Sequence, residues 1–159
     1  MEDKRNEAMD LMRNAKFSAA IPIFLDLIES DSGAQDSMIH HMLGQCYKFN
    51  GQLPEAIESL KKAHKLVEGQ SVDPEIKGPM YLALGIAYQD AKEFDKASSW
   101  LSVGINECPT NWLLHNSLGL TFKLLGDPRK ALECYRVAQE LIVENAGLPG
   151  SRTMELDGE

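Results

Sequence analysis

Four times in this chain a small residue is followed three positions later by a large one and twelve positions later by alanine. The units are Ala8, Leu11, Ala20; Gly44, Tyr47, Ala56; Gly85, Tyr88, Ala97; and Gly119, Phe122, Ala131. Spacing inside each unit is constant, while successive units recur at intervals of 36, 41 and 34 residues. A fixed internal register with variable linkers defines a repeat, and a period near 34 residues points to a helical solenoid.

Each unit reads as two helices. The eight expected spans are 3–14, 17–30, 35–49, 53–68, 77–91, 94–107, 110–125 and 128–145. Apolar residues at Leu53, Ala56, Ile57, Leu60 and Ala63 form a helical stripe, repeated at Ala131, Leu132, Tyr135, Ala138 and Leu141. Gly51 and Gly126 stand where a left-handed residue ends a helix, and Asp127-Pro128 supplies an N-cap followed by a first-position proline. No strand pattern is present, so the fold class is all-α. Pro22 falls inside the second helix, where it should kink the axis. Segment 69–79 should be a longer loop or a short extra turn, with the fifth helix starting anywhere from Pro74 to Met80. The glycine-rich, charged stretch 146–159 is expected to be a flexible acidic tail.

The spacing has a packing rationale. The small residue of the first helix and the alanine of the second let two backbones approach closely, and the bulky neighbour fills the flank. Phe24, Leu60, Leu101 and Tyr135 lie four residues after the alanines, on the same face one turn along. Burial of each is worth about 1.5–3 kcal/mol.

Composition narrows the function classes. With a net charge of −8 the chain lacks the clustered Lys and Arg that neutralise phosphates, so nucleic acid is not expected as a partner. Nowhere do eighteen apolar residues run together, so no membrane insertion is expected either. Residues 1–10 lack the apolar run of a signal peptide, and three scattered cysteines suggest reduced thiols in the cytoplasm. The histidines His40, His41, His64 and His115 match no metal or catalytic spacing, so neither a metal, a cofactor nor an enzymatic activity is expected.

Leu43-Gly44, Tyr47 and Gly51-Gln52-Leu53-Pro54-Glu55-Ala56-Ile57 together resemble the tetratricopeptide repeat signature. So do Tyr81, Leu84-Gly85, Tyr88, Phe94, Ala97 and Pro109, and Leu118-Gly119, Phe122, Gly126-Asp127, Ala131, Tyr135 and Ala138. The first unit is atypical, with Glu7 for Leu and Ala8 for Gly, although Phe17, Ala20 and Phe24 fit. The resemblance implies a right-handed superhelical solenoid of four antiparallel helix-turn-helix repeats over 1–145, at about 1–34, 37–70, 78–111 and 112–145. Repeat packing would rest on Ala8, Gly44, Gly85 and Gly119 against Ala20, Ala56, Ala97 and Ala131.

In that family the first helices of successive repeats line a concave groove that holds a partner peptide. The resemblance places Met9, Met12, Met38, His41, Met42, Gln45 and Phe49 there, continuing through Leu82, Ile86, Gln89, Asn116, Leu120 and Lys123. Arg5, Lys48, Ala83, Asp90, Leu113, Ser117 and Leu124 complete the groove set. Four of the chain's seven methionines belong to it, and methionine suits a surface that adapts to an apolar segment. The basic and Asn clamp with which some members hold a chaperone's C-terminal carboxylate is not matched. At its positions stand Arg5, Met9, Met42, Pro79 and Ala83, of which only Arg5 fits. The expected function is an adaptor binding an apolar peptide or helix. The alternatives are a chaperone resembling those of bacterial secretion systems, shielding a hydrophobic client, and a homo-oligomer built through exposed Leu132, Leu141 and Val143 of the last helix.

Overall fold

The computed structural model describes residues 2–146, so the expected tail lies almost wholly outside the described residues. Those residues form helices α1 (Glu2–Arg13), α2 (Phe17–Ile28), α3 (Asp31–Ala34), α4 (Ser37–Phe49) and α5 (Leu53–Val67). The series continues with α6 (Pro74–Asp90), α7 (Phe94–Glu107), α8 (Trp112–Leu124) and α9 (Pro128–Asn145). Four antiparallel pairs result: α1/α2, α4/α5, α6/α7 and α8/α9. Each second helix also packs on the first helix of the next pair, and the first helices of the last three pairs lie side by side. The architecture is a helical repeat solenoid.

Close approach within each pair is visible atom by atom. A Cβ added at Gly44 would stand 2.6 Å from Leu60 Cγ, at Gly85 2.4 Å from Leu101 Cδ2, and at Gly119 2.7 Å from Tyr135 Cε1. The partners are the residues four places after each alanine, and Ala20, Ala56 and Ala97 are fully buried. Phe24 and Leu101 are also 0% exposed. The core is consequently a row of clusters along the stack.

All four hairpin turns use one backbone device. Gly51 and Gly126 have φ of 79° and 80°, and at the same register stand Ala15 (φ 55°) and Lys92 (φ 60°). A left-handed conformation costs a residue with a Cβ about 1 kcal/mol. Ala15→Gly and Lys92→Gly should therefore each leave stability unchanged or raise it by up to about 1 kcal/mol, measured by urea unfolding. A loss above about 1 kcal/mol would contradict the strain argument.

The connections between pairs depart from the sequence expectations. Eight helices were expected; α3 is an additional turn within 29–36, capped by Ser30, whose Oγ accepts from the Gly33 N–H at 3.2 Å. A Cβ at Gly33 would collide with the Leu27 carbonyl at 1.9 Å, so the turn folds tightly against α2. The helix expected to start between Pro74 and Met80 starts at Pro74, because Asp73 caps it by accepting from the Glu75 N–H at 2.8 Å. Pro79 lies within this helix and is exposed, as is Pro22 within the continuous α2.

The position four residues before each small residue, at Lys4, His40, Tyr81 and His115, ties each first helix to a neighbouring segment. Lys4 pairs with Asp26 of α2. The His40 Nε2 lies 3.1 Å from the Ala34 carbonyl, and the His115 Nε2 lies 3.0 Å from the Pro109 carbonyl. In the third pair Tyr81 takes this place, its hydroxyl 2.9 Å from His64 Nε2. His40, His64 and His115 are joints of the stack, and no group of three metal-ligating side chains occurs among the described residues.

Candidate functional site

The face of interest is built by α4, α6 and α8, with α1 at one end. Not all of the expected groove residues are free on it. Met12 and Met42 pack against the core cluster centred on Phe24 and Leu43, Leu82 packs on the cluster around Leu101, and Ala83 is buried. Gln89 donates through Nε2 to the Ser117 carbonyl (2.9 Å) and to Thr121 Oγ1 (2.7 Å), stitching α6 to α8. Thr121 is 0% exposed, so this amide completes a buried hydroxyl. Gln89→Ala should cost about 1 kcal/mol of stability by removing the donor to Thr121, whose hydroxyl still donates to the Ser117 carbonyl at 2.9 Å. A change confined to partner binding, with no shift of the urea midpoint, would disprove the stitching role.

Other members of the set remain available. Leu113, Leu120 and Leu124 of α8 are exposed at 40%, 41% and 48%, on one side of the helix at spacings of seven and four residues. Asn116 and Lys123 flank them and are exposed. Helix α8 contains no carboxylate, although the chain has 24. Met9, Met38 and Ile86 are half-buried. Phe49 is 59% exposed, its ring stacked on Phe17 at 4.8 Å, with Lys48 Nζ 4.2 Å from its centroid.

Two polar atoms one turn apart on α4, His41 Nδ1 and Gln45 Oε1, are buried with no hydrogen-bond partner among the described residues. Buried polar groups are nearly always paired, so these two atoms are exceptions to that rule. Towards α1 a cleft of about 490 Å³ opens, with Met9, Leu27 and Ile39 as its apolar lining. Arg5 on its rim bonds Asp36 at 3.0 Å. Asp36 in turn accepts from the Met38 and Ile39 N–H groups to cap α4. The single residue matching the carboxylate clamp is thus engaged in holding α1 to α4.

Burial sets the titration of two histidines. It pushes the imidazole of His41 below its usual range, and does the same at His64. His64 sits edge-on to Tyr81 (4.9 Å) and Trp100 (5.0 Å), and burial raises the Tyr81 hydroxyl to about 12. Below about pH 6.5 the unfolded chain takes up protons that the folded chain refuses, so stability declines as pH falls through that window. The urea midpoint should drop from neutral pH to about pH 5.5, and His41→Gln should flatten the drop. An unchanged pH slope in that variant would show that His41 titrates alike in both states.

The last helix exposes Leu132 (71%) and Ile142 (36%), whereas Leu141 and Val143 are half-buried. Of the three residues expected at an open end, Leu132 is the one that stands clear. The sequence reading missed the His64–Tyr81–Trp100 cluster and the Phe17–Phe49 stack, which join residues 17 to 36 positions apart that no local spacing links.

Residues 39–66, the second helix pair, match the family model of the tetratricopeptide repeat. Human RanBP2-like and GRIP domain-containing protein 3 is 33% identical over 75 residues, which cover 47% of this chain and 4% of that protein. Human E3 SUMO-protein ligase RanBP2 matches at 33% over 75 residues, covering 47% of this chain and 2% of its own. The chain therefore matches only a few per cent of the length of these curated relatives. Among solved structures, MamA superimposes with a TM-score of 0.80 at 20% identity, over 92% of this chain and 80% of that one. BtubC (BKLC) from P. vanneervenii does so at 0.77 and 17%, over 91% and 64%. At these identities the likeness shows the fold. With one repeat matched in sequence and the stacked pairs matched in structure, the chain contains a tetratricopeptide repeat within a helical-repeat solenoid, a scaffold of the protein–protein interaction type.

Proposed function

We propose that the protein is an adaptor that binds one apolar segment of a partner protein across the faces of α4, α6 and α8. The observation that carries this reading is the exposed stripe Leu113, Leu120, Leu124 on a helix without carboxylates. Contiguous exposed apolar surface in a folded protein marks an interaction site. Burial of the stripe supplies the driving force, and Asn116 and Lys123 orient the ligand at its edges. A client-shielding chaperone would use the same contact with a more hydrophobic partner. Free Cys46, Cys108 and Cys134 fit a reducing, cytoplasmic setting.

The test is affinity capture from native lysate followed by mass spectrometry, comparing wild type with Leu113→Glu/Leu120→Glu. Both side chains are exposed, so circular dichroism should show an intact fold in the variant. A protein retained by wild type and lost by the variant supports the site; a protein retained equally by both refutes it.

Self-association through α9 is the second reading, favoured by the exposure of Leu132. Its mark would be a mass in light scattering that rises with concentration and returns to the monomer value in Leu132→Glu. A monomer at every concentration would dispose of it.

A further inference from the structure

Antiparallel pairing puts all four hairpin turns on one edge of the solenoid and all connections between pairs on the other. The two edges differ in charge. Lys16, Lys48, Lys92, Lys123 and Arg129 lie at the hairpin turns, at least one per turn, and none makes an ion pair with any described residue. Away from this edge, among the described residues, only Lys62 and Lys65 share that state. The connections between pairs carry carboxylates instead: Glu29 and Asp36, Glu68 and Asp73, and Glu107. In a chain of net charge −8, the unpaired positive charge is concentrated where the hairpins turn.

Apolar groups accompany these cations. Phe49, 59% exposed and stacked on Phe17, sits beside Lys48. Leu125, 39% exposed, shares with Lys92, Glu93, Phe94, Asp95 and Lys96 a hollow of about 300 Å³, in which Lys96 pairs with Glu93.

We propose that the hairpin-turn edge is a second docking surface, taking an acidic, apolar-containing segment of a partner protein. Successive turns belong to successive helix pairs, so their cations are separated by at least one interhelical distance of about 8–10 Å. An extended chain covers about 10 Å in three residues, so a segment with carboxylates three or more residues apart can meet successive turns. Side chains between the carboxylates reach Phe49 and Leu125. Asp90, Glu93, Asp95 and Asp127 are interspersed on the same edge. They repel a phosphate-dense polymer or an anionic bilayer, whereas discrete carboxylates on a flexible segment avoid them. This surface meets the groove at Lys48, Phe49 and Lys123, but Leu113 and Leu120 of α8 are not part of it.

The test measures binding of the full chain to a fluorescein-labelled peptide of repeated Glu-Leu-Leu by fluorescence anisotropy. The variant is Lys16→Glu/Lys92→Glu/Arg129→Glu, whose three sites are exposed and outside the groove set. Wild type should bind, and the variant should bind at least about tenfold more weakly at low salt, with most of the difference screened at high salt. Leu113→Ser/Leu120→Ser, which adds no charge beside Lys123, should bind this peptide as wild type does, which separates failure of this proposal from failure of the groove reading. Four results would overturn it: no binding, an undiminished triple variant, equal binding of a Gln-Leu-Leu peptide, or charge-dependent binding of phosphatidylserine vesicles or duplex DNA in its place.

Discussion

Leu101→Ala should lower stability by about 2–5 kcal/mol, and Gly85→Ala by about 1–3 kcal/mol, yet the double variant should lose less than their sum. Leu101 is 0% exposed, and its Cδ2 and Cγ would stand 2.4 and 2.5 Å from a Cβ at position 85. The first substitution leaves a cavity, and the second forces a methyl group into the space the leucine fills. Together the new methyl group occupies part of the new cavity, which is a coupling of about 1 kcal/mol or more in the stabilising direction. Urea unfolding of the four members of the cycle measures it. Strict additivity would mean that α6 and α7 separate to relieve the clash, and that the glycine register is not what sets their distance.

Phe24→Ala should cost about 3–5 kcal/mol, and its effect should be uneven along the chain. Phe24 is fully buried among Ala8, Ala20, Leu43 and Cys46, at the junction of the first pair with the second. In a repeat stack each unit is stabilised by its neighbours alone. Hydrogen exchange should therefore accelerate strongly in α1 and α2 and little in α8 and α9. Uniform acceleration across all four pairs would show that the solenoid unfolds as one cooperative block.

The parts of the fold legible in the sequence are those that geometry repeats. Gly44, Gly85 and Gly119 reveal themselves because a close helix contact admits nothing larger, and each is met by the residue sixteen places on. The turns at Gly51 and Gly126 are legible for the same kind of reason. Those at Ala15 and Lys92 are not, since nothing about alanine or lysine announces a positive φ. Helix α3 hides in 29–36 because a single turn has no periodicity, and its determinants are one Ser30 cap and the space at Gly33. The start of α6 was ambiguous because Asp73, Pro74, Gly78 and Pro79 each permit a boundary, and the Asp73 cap decides it.

The candidate site was legible as a set of positions but not as a surface. Register says which side of α4, α6 and α8 a residue occupies, whereas its accessibility depends on what the neighbouring helix brings. Met42 is drawn into the core by the cluster below it, and Gln89 is occupied by Thr121, two events decided by residues on other helices. Leu113, Leu120 and Leu124 stay outside because no described helix covers that side of α8.

The connections between pairs shorten along the chain, from residues 29–36 to 68–73 to 108–111. A hairpin clamped by glycine-to-leucine contacts behaves as a rigid plate, so elasticity must reside in the joints. The plate formed by α4 and α5 is suspended between the two longest joints. The joint before α4 is stiffened by α3 and the Phe24 cluster. Stretching or twisting the solenoid will therefore be taken up first at residues 68–73, where the second plate hinges on the third.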